Sequence, residues 1–223
     1  MKRRNNMVKG VIFDMDGLMF DTERLWDTLW EPCCRKLGLP LPRPEFLASG
    51  RGLAGDNLLR HLAEYYPQID PHIMLKEVYG LAEERFRQGV PCKPGLHELL
   101  DWLKDHDLPC IVASSSPRDM IENNLKNNHV ESYFRGVVCG ADVERSKPAP
   151  DIFLLAARKL GLPATDCLVL EDSFNGVRAG HAAGAVTVMV PDLAQPDEEI
   201  KQLYTCCCHD LLEVRQLLED GKL

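Results

Sequence analysis

VKGVIFDMDGLMFDT, residues 8–22, is the stretch from which the remainder of the chain can be interpreted. It opens as a short apolar run with β-branched residues, which predicts a buried strand. Asp14 and Asp16 follow at the point where this strand should end, and Gly17 then suits a tight turn. In an extended chain, side chains two residues apart point the same way and lie roughly 6–7 Å apart. The two carboxylates can therefore hold a small tetrahedral group between them.

Polar side chains also follow two later strand-like runs. Ser114–Ser116 follow the run CIVA, Glu171 and Asp172 follow the run LVL, and Lys147 precedes a helical pattern. In an open α/β sheet, ligands bind at the carboxyl ends of the strands. We therefore expect these hydroxyls, this lysine and this acidic pair to converge on Asp14 and Asp16.

The composition limits the classes of partner. The chain has 223 residues, 45% of them hydrophobic, which is enough for a sizeable core and a smaller second module. A net charge of −8 argues against a nucleic-acid partner. No apolar run approaches the ~20 residues that a membrane helix needs, and no signal-peptide core follows the basic residues 2–4. We expect a cytoplasmic protein with no membrane partner, and a monomer is the default expectation, although the sequence is silent on oligomeric state.

Nine cysteines, with no Cys-x-x-Cys pair, predict free thiols in a reducing compartment. Cys206-Cys207-Cys208-His209 allows either a metal site or a short strand. Successive strand residues point to opposite faces, so adjacent cysteines chelate poorly. We favour the strand and assign no function to the cysteine run.

Residues 22–91 have the apolar spacing of helices, apart from a proline-rich linker at 40–44 and breaks at 49–52 and near Pro67. Thr22 is the predicted N-cap of the first of them, and Pro32 is predicted to kink or split it. Beyond residue 92, strand-like runs alternate with helical patterns, which predicts a parallel sheet covered on both faces. We therefore divide the chain into an α/β core domain, residues 1–21 and 92–223, and a helical domain, residues 22–91.

The ordered set of motifs resembles the haloacid dehalogenase superfamily of phosphoryl-transfer enzymes, and within it the β-phosphoglucomutase-like branch. The resemblance covers nearly the whole chain. The motifs that carry it are Asp14-Met15-Asp16-Gly17 with Asp21-Thr22, then Ser114, Lys147 and Glu171-Asp172. It implies a Rossmann-like, doubly wound parallel sheet with a small all-helical cap domain inserted after the first strand.

The resemblance also implies roles for three of these residues. Asp14 would be the nucleophile that forms an aspartyl phosphate. Asp16 would protonate the leaving oxygen and then activate water as a general base. Lys147 would stabilise charge on the transferring group and bind Asp14 or the phosphate.

Mg²⁺ is the implied cofactor, because it prefers a few carboxylates together with water and phosphate oxygens. The implied protein ligands are the side chains of Asp14 and Asp172 and the backbone carbonyl of Asp16. Glu171 either binds the metal or supports a residue that does, and we favour the supporting role.

Three further residues, Ser114, Ser115 and Arg51, are candidates for holding the phosphate or the substrate. The resemblance implies that the Ser114 hydroxyl binds a phosphate oxygen, and Ser115 could share this work. Ser116 stands before Pro117, which suits the first helical position, so we interpret Ser116 as a helix cap. Arg51, in the predicted helical domain, either reaches the substrate or is an exposed arginine.

The sequence therefore predicts a Mg²⁺-dependent phosphatase that acts on a small phosphorylated metabolite, such as a sugar or polyol phosphate. A β-phosphoglucomutase-type mutase is the alternative. Trp26, Pro117 and Gly55 stand where those mutases carry a histidine, a lysine and an arginine, which favours the phosphatase. The intact motif set argues against a non-catalytic binding protein, and Asp16 argues against dehalogenase chemistry. The sequence does not name the substrate.

Overall fold

A parallel sheet forms the centre of the protein in a computed structural model, which describes residues 8–51, 53, 55–86, 89–192 and 195–223. Over these residues the strands form one six-stranded sheet in the order β3-β2-β1-β4-β5-β6, and each neighbouring pair is parallel. The strands are β1 (Gly10–Phe13), β2 (Cys110–Ser114), β3 (Phe134–Cys139), β4 (Cys167–Glu171), β5 (Val186–Met189) and β6 (Cys206–Cys207).

Helices follow the strands in two groups. Between β1 and β2 lie α1 (Thr22–Lys36), α2 (Pro44–Gly50), α3 (Gly55–Tyr65), α4 (Pro71–Phe86) and α5 (Leu96–Asp105). The later helices are α6 (Arg118–Asn127), α7 (Asp151–Leu160), α8 (Phe174–Ala182) and α9 (Leu211–Glu219). In the part of the chain that is described, none of the helices has the length and apolar character needed to cross a membrane.

Successive strand residues point to opposite faces of the sheet, and both faces are buried. Val11 and Phe13 pack into a core cluster with α5, α6 and α9, whereas Ile12 packs into a second cluster with Phe153 of α7 and Ala179 of α8. Parallel sheets are covered in this way in α/β proteins. The predicted doubly wound α/β fold is confirmed.

The helical insert, α1–α4, joins the sheet through two chain crossings that run side by side. Phe20 and Cys92 form an antiparallel bridge between the outgoing and returning chain. The Asp21 amide donates to the Pro91 carbonyl at 3.0 Å, and the Lys93 amide donates to the Met19 carbonyl at 2.8 Å. The predicted position of the helical insert, after the first strand, is confirmed. The division into two domains at residues 22 and 91 stays a prediction.

The start and middle of α1 differ from the sequence-based expectation. Asp21 occupies the N-cap position, and the Thr22 hydroxyl instead accepts a hydrogen bond from the Gly17 amide at 3.1 Å. Pro32 lies inside one continuous helix and does not split it. Its neighbours Trp30 and Cys33 are buried, and their packing outweighs the hydrogen bond that a proline cannot make.

Candidate active site

The residues predicted to converge do so at the carboxyl ends of three neighbouring strands. Asp14 directly follows β1, Ser114 is the last residue of β2, and Glu171 is the last residue of β4. Both β2 and β4 pair with β1, so their ends lie beside Asp14. Lys147 comes from the loop before α7 and completes the group.

Lys147 is held between two buried carboxylates. Its Nζ donates to Asp14 Oδ1 at 2.5 Å and to Glu171 Oε1 at 2.6 Å, and it lies 4.8 Å from the centre of the Phe153 ring. Burial disfavours the charged ammonium, but the facing carboxylates of Asp14 and Glu171 outweigh it and hold the pKa of Lys147 above its ordinary value. The lysine is therefore a fixed cation beside Asp14.

At Asp14, in contrast to Lys147, burial has a larger effect on the pKa than the oppositely charged neighbour. The residue is only 6% exposed. Burial, and to a smaller extent the nearby Glu171 and Asp16 carboxylates, raise the pKa of Asp14 well above its ordinary value, although Lys147 opposes this. Among the described residues of the site, carboxylates outnumber the one ammonium group. Such a site favours an added cation.

A candidate metal centre lies at the same place. Asp14, Glu171 and Asp172 each offer a carboxylate oxygen within 4.8 Å of the others, and all three residues are buried. Glu171 is the most engaged of the three, because Oε1 accepts from Lys147 and Oε2 accepts from the Ser173 amide and hydroxyl, both at 2.9 Å. Buried carboxylates of this kind are oxygen ligands that suit Mg²⁺.

Asp16 is held by two serines of the segment that follows β2. Its Oδ2 accepts from the Ser114 hydroxyl at 3.0 Å and from the Ser116 hydroxyl at 2.7 Å. Its Oδ1 is buried and has no hydrogen-bond partner among the described residues. The carboxylate thus has one oxygen fixed by two hydroxyl groups and a second, buried oxygen that accepts no hydrogen bond from the described residues.

Ser116 was predicted as a helix cap, and that prediction is wrong. Helix α6 begins at Arg118 with Pro117 in the N-cap position, while the Ser116 hydroxyl faces Asp16. The sequence did contain the signal. Residues two apart in an extended segment point the same way, so Ser114 and Ser116 can reach the same group.

A tight packing contact, which the sequence analysis missed, supports Glu171. Ser173 is the N-cap of α8, where its hydroxyl oxygen accepts from the Gly176 amide at 3.1 Å while donating to Glu171. A Cβ atom at Gly176 would overlap the Glu171 carboxylate. Gly176 therefore provides the space that lets Glu171 reach Lys147.

We expect Gly176→Ala to destabilise the protein by about 1–3 kcal/mol, because the added methyl group must displace Glu171. Phosphate release should fall more than about 10-fold as Lys147 loses one of its two carboxylate partners. Thermal unfolding and kcat measure the two effects.

The matched control is Gly80→Ala in α4, where a Cβ meets no described atom within 4 Å. Alanine in that open helical position should add up to about 1 kcal/mol of stability. A Gly176→Ala protein as stable and active as the parent would contradict the packing argument.

One cavity joins these groups to the helical insert. Its sheet side is lined by Asp14, Asp16, Ser115, Lys147 and Asp172. Ser114 and Glu171 are fully buried and lie behind these residues. Arg51 lines the insert side, where its Nη2 donates to Asp27 Oδ2 at 2.6 Å. The cavity therefore brings together most of the predicted site residues, with Ser114 and Glu171 in support.

A mutase would need a second phosphate site, and the arginines next to or near the positions where the mutases carry cations, Arg118 and Arg51, both face carboxylates. Arg51 is paired with Asp27, as described above. Arg118 Nη2 donates to Asp142 Oδ2 at 2.6 Å. Trp26, at the position where the mutases carry a histidine, lines the cavity with its indole ring. Because both arginines are already paired with carboxylates, a second phosphate group would have weaker cationic partners than the phosphate beside Asp14 and Lys147.

Residues 11–190 match the family described as haloacid dehalogenase-like hydrolase. A probable pseudouridine-5'-phosphatase of Drosophila melanogaster is 38% identical over 191 residues, which cover 81% of this chain and 80% of that protein. Hexitol phosphatase B of Escherichia coli K12 is 31% identical over 186 residues, covering 82% of this chain and 84% of that protein. A putative beta-phosphoglucomutase from Thermotoga maritima superposes with a TM-score of 0.77 at 25% identity, covering 95% of this chain and 99% of that one.

Proposed function

We propose, because this chain belongs to the haloacid dehalogenase-like hydrolase family and is a phosphatase within it, that it hydrolyses small phosphate monoesters through an aspartyl phosphate on Asp14. The observation that carries the proposal is the contact between Lys147 and Asp14 at the end of β1. The lysine fixes one carboxylate oxygen and leaves the other to attack phosphorus. Phosphoryl transfer depends mainly on such positioning and on charge neutralisation.

The reaction proceeds in two displacements. In the first, an Asp14 oxygen bonds to phosphorus, the ester P–O bond breaks, and Asp16 gives a proton to the leaving alkoxide. In the second, water attacks the aspartyl phosphate and gives a proton to Asp16. Inorganic phosphate leaves and Asp14 is regenerated. Ser115, which lines the cavity, is the proposed hydrogen-bond donor to a phosphate oxygen. Ser114 was expected in the same role, but its hydroxyl donates to Asp16 Oδ2 in the structure, so it would bind a phosphate oxygen only by giving up that hydrogen bond.

Mg²⁺ is the proposed cofactor, and the buried acidic cluster supports it. Asp14 and Asp172 would hold it by their side chains and Asp16 by its backbone carbonyl. Glu171 supports the site by binding Lys147 and Ser173. When bound, the cation supplies positive charge that neutralises the phosphoryl oxygens.

We expect EDTA to abolish phosphate release and Mg²⁺ to restore it. Asp172→Asn removes one proposed ligand, so the Mg²⁺ concentration for half-maximal activity should rise about 10-fold or more. A Mg²⁺ titration of kcat measures this. Asp151→Asn is the matched control, because Asp151 pairs with Arg145 at the surface and its loss should leave the Mg²⁺ requirement unchanged. An enzyme that resists the chelator would refute the metal assignment.

A phosphate-release screen with and without Mg²⁺ tests the function as a whole. It should include p-nitrophenyl phosphate as a generic monoester, together with pseudouridine 5'-phosphate and hexitol phosphates, which the names of the relatives suggest. Hydrolysis of none of these compounds would refute the proposal.

The mutase alternative is kept because of the likeness to the Thermotoga maritima structure. A mutase must hold a phosphate at both ends of its intermediate, and the paired states of Arg51 and Arg118 argue against a second anion site. The screen therefore includes β-glucose 1-phosphate with a catalytic amount of glucose 1,6-bisphosphate. We expect free phosphate to form faster than glucose 6-phosphate. The reverse order would establish the mutase.

A further inference from the structure

The insert side of the cavity differs in chemistry from the sheet side. Its described lining is mainly apolar and aromatic, and includes Trp26, Leu47, Leu53, Leu75 and Tyr79. The Trp26 and Tyr79 rings meet edge to face, with their centres 5.5 Å apart. The part of a substrate that lies beyond the phosphate therefore meets mainly aromatic and aliphatic side chains.

Polar groups on this side are few and specific. His61 lines the cavity, but its ring stacks on Phe46 at 4.9 Å, and its Nε2 lies 3.0 Å from the Phe46 carbonyl oxygen. The charged groups that remain among the described lining residues of the insert are Asp27 and Arg51. Their ion pair presents a carboxylate acceptor beside a guanidinium donor.

This lining is a poor match for a polyol phosphate. Every hydroxyl of a hexitol needs a hydrogen-bond partner when it leaves water, and a hydroxyl left unpaired against an apolar wall weakens binding. A flat heterocycle has the reverse requirement. Its faces pack against aromatic rings, and its polar groups are confined to one edge.

We infer that the substrate is a nucleoside 5'-monophosphate, whose base packs against Trp26 and Tyr79 and places an N–H and an adjacent carbonyl against Asp27 and Arg51. This inference rests on the proposed phosphatase function and names the substrate class of the same cavity. The Asp27 carboxylate accepts from the N–H of the base, and the Arg51 guanidinium donates to its carbonyl. Uracil and hypoxanthine carry such an edge. Cytosine lacks that ring N–H.

The first test compares substrates that share a phosphate and a ribose but differ in the base. We expect kcat/KM for uridine or inosine 5'-monophosphate to exceed that for ribose 5-phosphate by at least about 100-fold, because binding energy from the base contributes to catalysis at the phosphate. Cytidine 5'-monophosphate and a hexitol 6-phosphate should be poorer than the better of these two nucleotides. p-Nitrophenyl phosphate reports the basic phosphatase activity.

The second test uses variants of the cavity wall. Asp27→Asn should lower the kcat/KM ratio of the best nucleotide over ribose 5-phosphate by about 10-fold or more, because the acceptor for the ring N–H is altered. Trp26→Leu should lower the same ratio, and Trp26→Phe should retain more of it, since phenylalanine keeps a flat ring. The two Trp26 variants keep the inference testable if loss of the Asp27–Arg51 pair prevents folding. Glu64→Gln, at an exposed position of α3, is the control and should leave the ratio unchanged.

The outcomes separate the two proposals. If p-nitrophenyl phosphate and every other ester resist hydrolysis, the phosphatase function itself fails. If p-nitrophenyl phosphate is hydrolysed but no nucleotide exceeds ribose 5-phosphate, the inference about the base is overturned and the phosphatase function stands. An unchanged kcat/KM ratio in folded Asp27→Asn and Trp26→Leu proteins also overturns the inference about the base. The Asp27–Arg51 ion pair would then have only a structural role, linking α1 to the segment after α2.

Discussion

We expect Asp14→Asn to yield a folded protein that releases phosphate at least about 10⁴-fold more slowly than the parent chain. Asparagine has nearly the same shape as aspartate and can still accept a hydrogen bond from Lys147, so the fold should persist. It cannot attack phosphorus as an anion, and it removes one charge from the proposed metal site. Steady-state phosphate release measures the loss, and circular dichroism checks the fold.

The covalent step can be separated from a loss of metal binding. Mass spectrometry of acid-quenched parent enzyme should find a phosphorylated peptide that contains Asp14, and the variant should give none. Asp105→Asn, at an exposed position of α5, is the matched control and should keep parental activity and phosphorylation. A phosphorylated peptide elsewhere in the chain, or an active Asp14→Asn protein, would require a different nucleophile.

Lys147→Met has the second large expected effect, because it changes both activity and stability. The ammonium lies between two buried carboxylates, and its side chain is 8% exposed. Removing one partner of a buried ion pair leaves uncompensated charge and costs about 3–5 kcal/mol. The free energy of unfolding should fall by that amount, and kcat should fall at least about 10³-fold as the fixed cation beside Asp14 is lost. Lys126→Met, at an exposed position of α6, is the control for each measurement.

A second substitution distinguishes the two roles of Lys147. Adding Glu171→Gln to the Lys147→Met protein removes one of the two stranded charges, so part of the lost stability should return. Activity should not return, because the cation is still absent. If the double variant is no more stable than Lys147→Met alone, then repulsion between the stranded carboxylates is not the cause of the loss. The double variant also keeps the test available if Lys147→Met alone does not fold.

The fold could be predicted from the sequence because its signals are local and repeated. Apolar runs that end in polar residues gave the strands, and their alternation with helical patterns gave the parallel sheet. The same pattern predicted that Asp14, Ser114 and Glu171 would meet, because parallel strands present their carboxyl ends at one edge. The structure confirms this arrangement of the strands.

The errors came from contacts between residues that are distant in the chain. Ser116 has the local context of a helix cap, but Asp16, which is 100 residues away, takes its hydroxyl. Of the two outcomes predicted for Pro32, the split does not occur, because α1 is one continuous helix with buried residues beside the proline, and the kink stays a prediction. The same limit applies to the cavity wall. The pairing of Arg51 with Asp27 depends on how α1 and the segment after α2 are placed in space, which local patterns do not specify.

The two adjacent chain crossings at Phe20 and Cys92 mean that the helical insert is attached to the sheet at one place. We expect such an insert to behave as an exchangeable cassette. Residues on its inner wall can diverge to suit new leaving groups, while Asp14, Lys147 and Glu171 keep their mutual contacts on the sheet. Selection on what is recognised is then largely independent of selection on how the phosphate is removed, and one chemical apparatus can serve many metabolites.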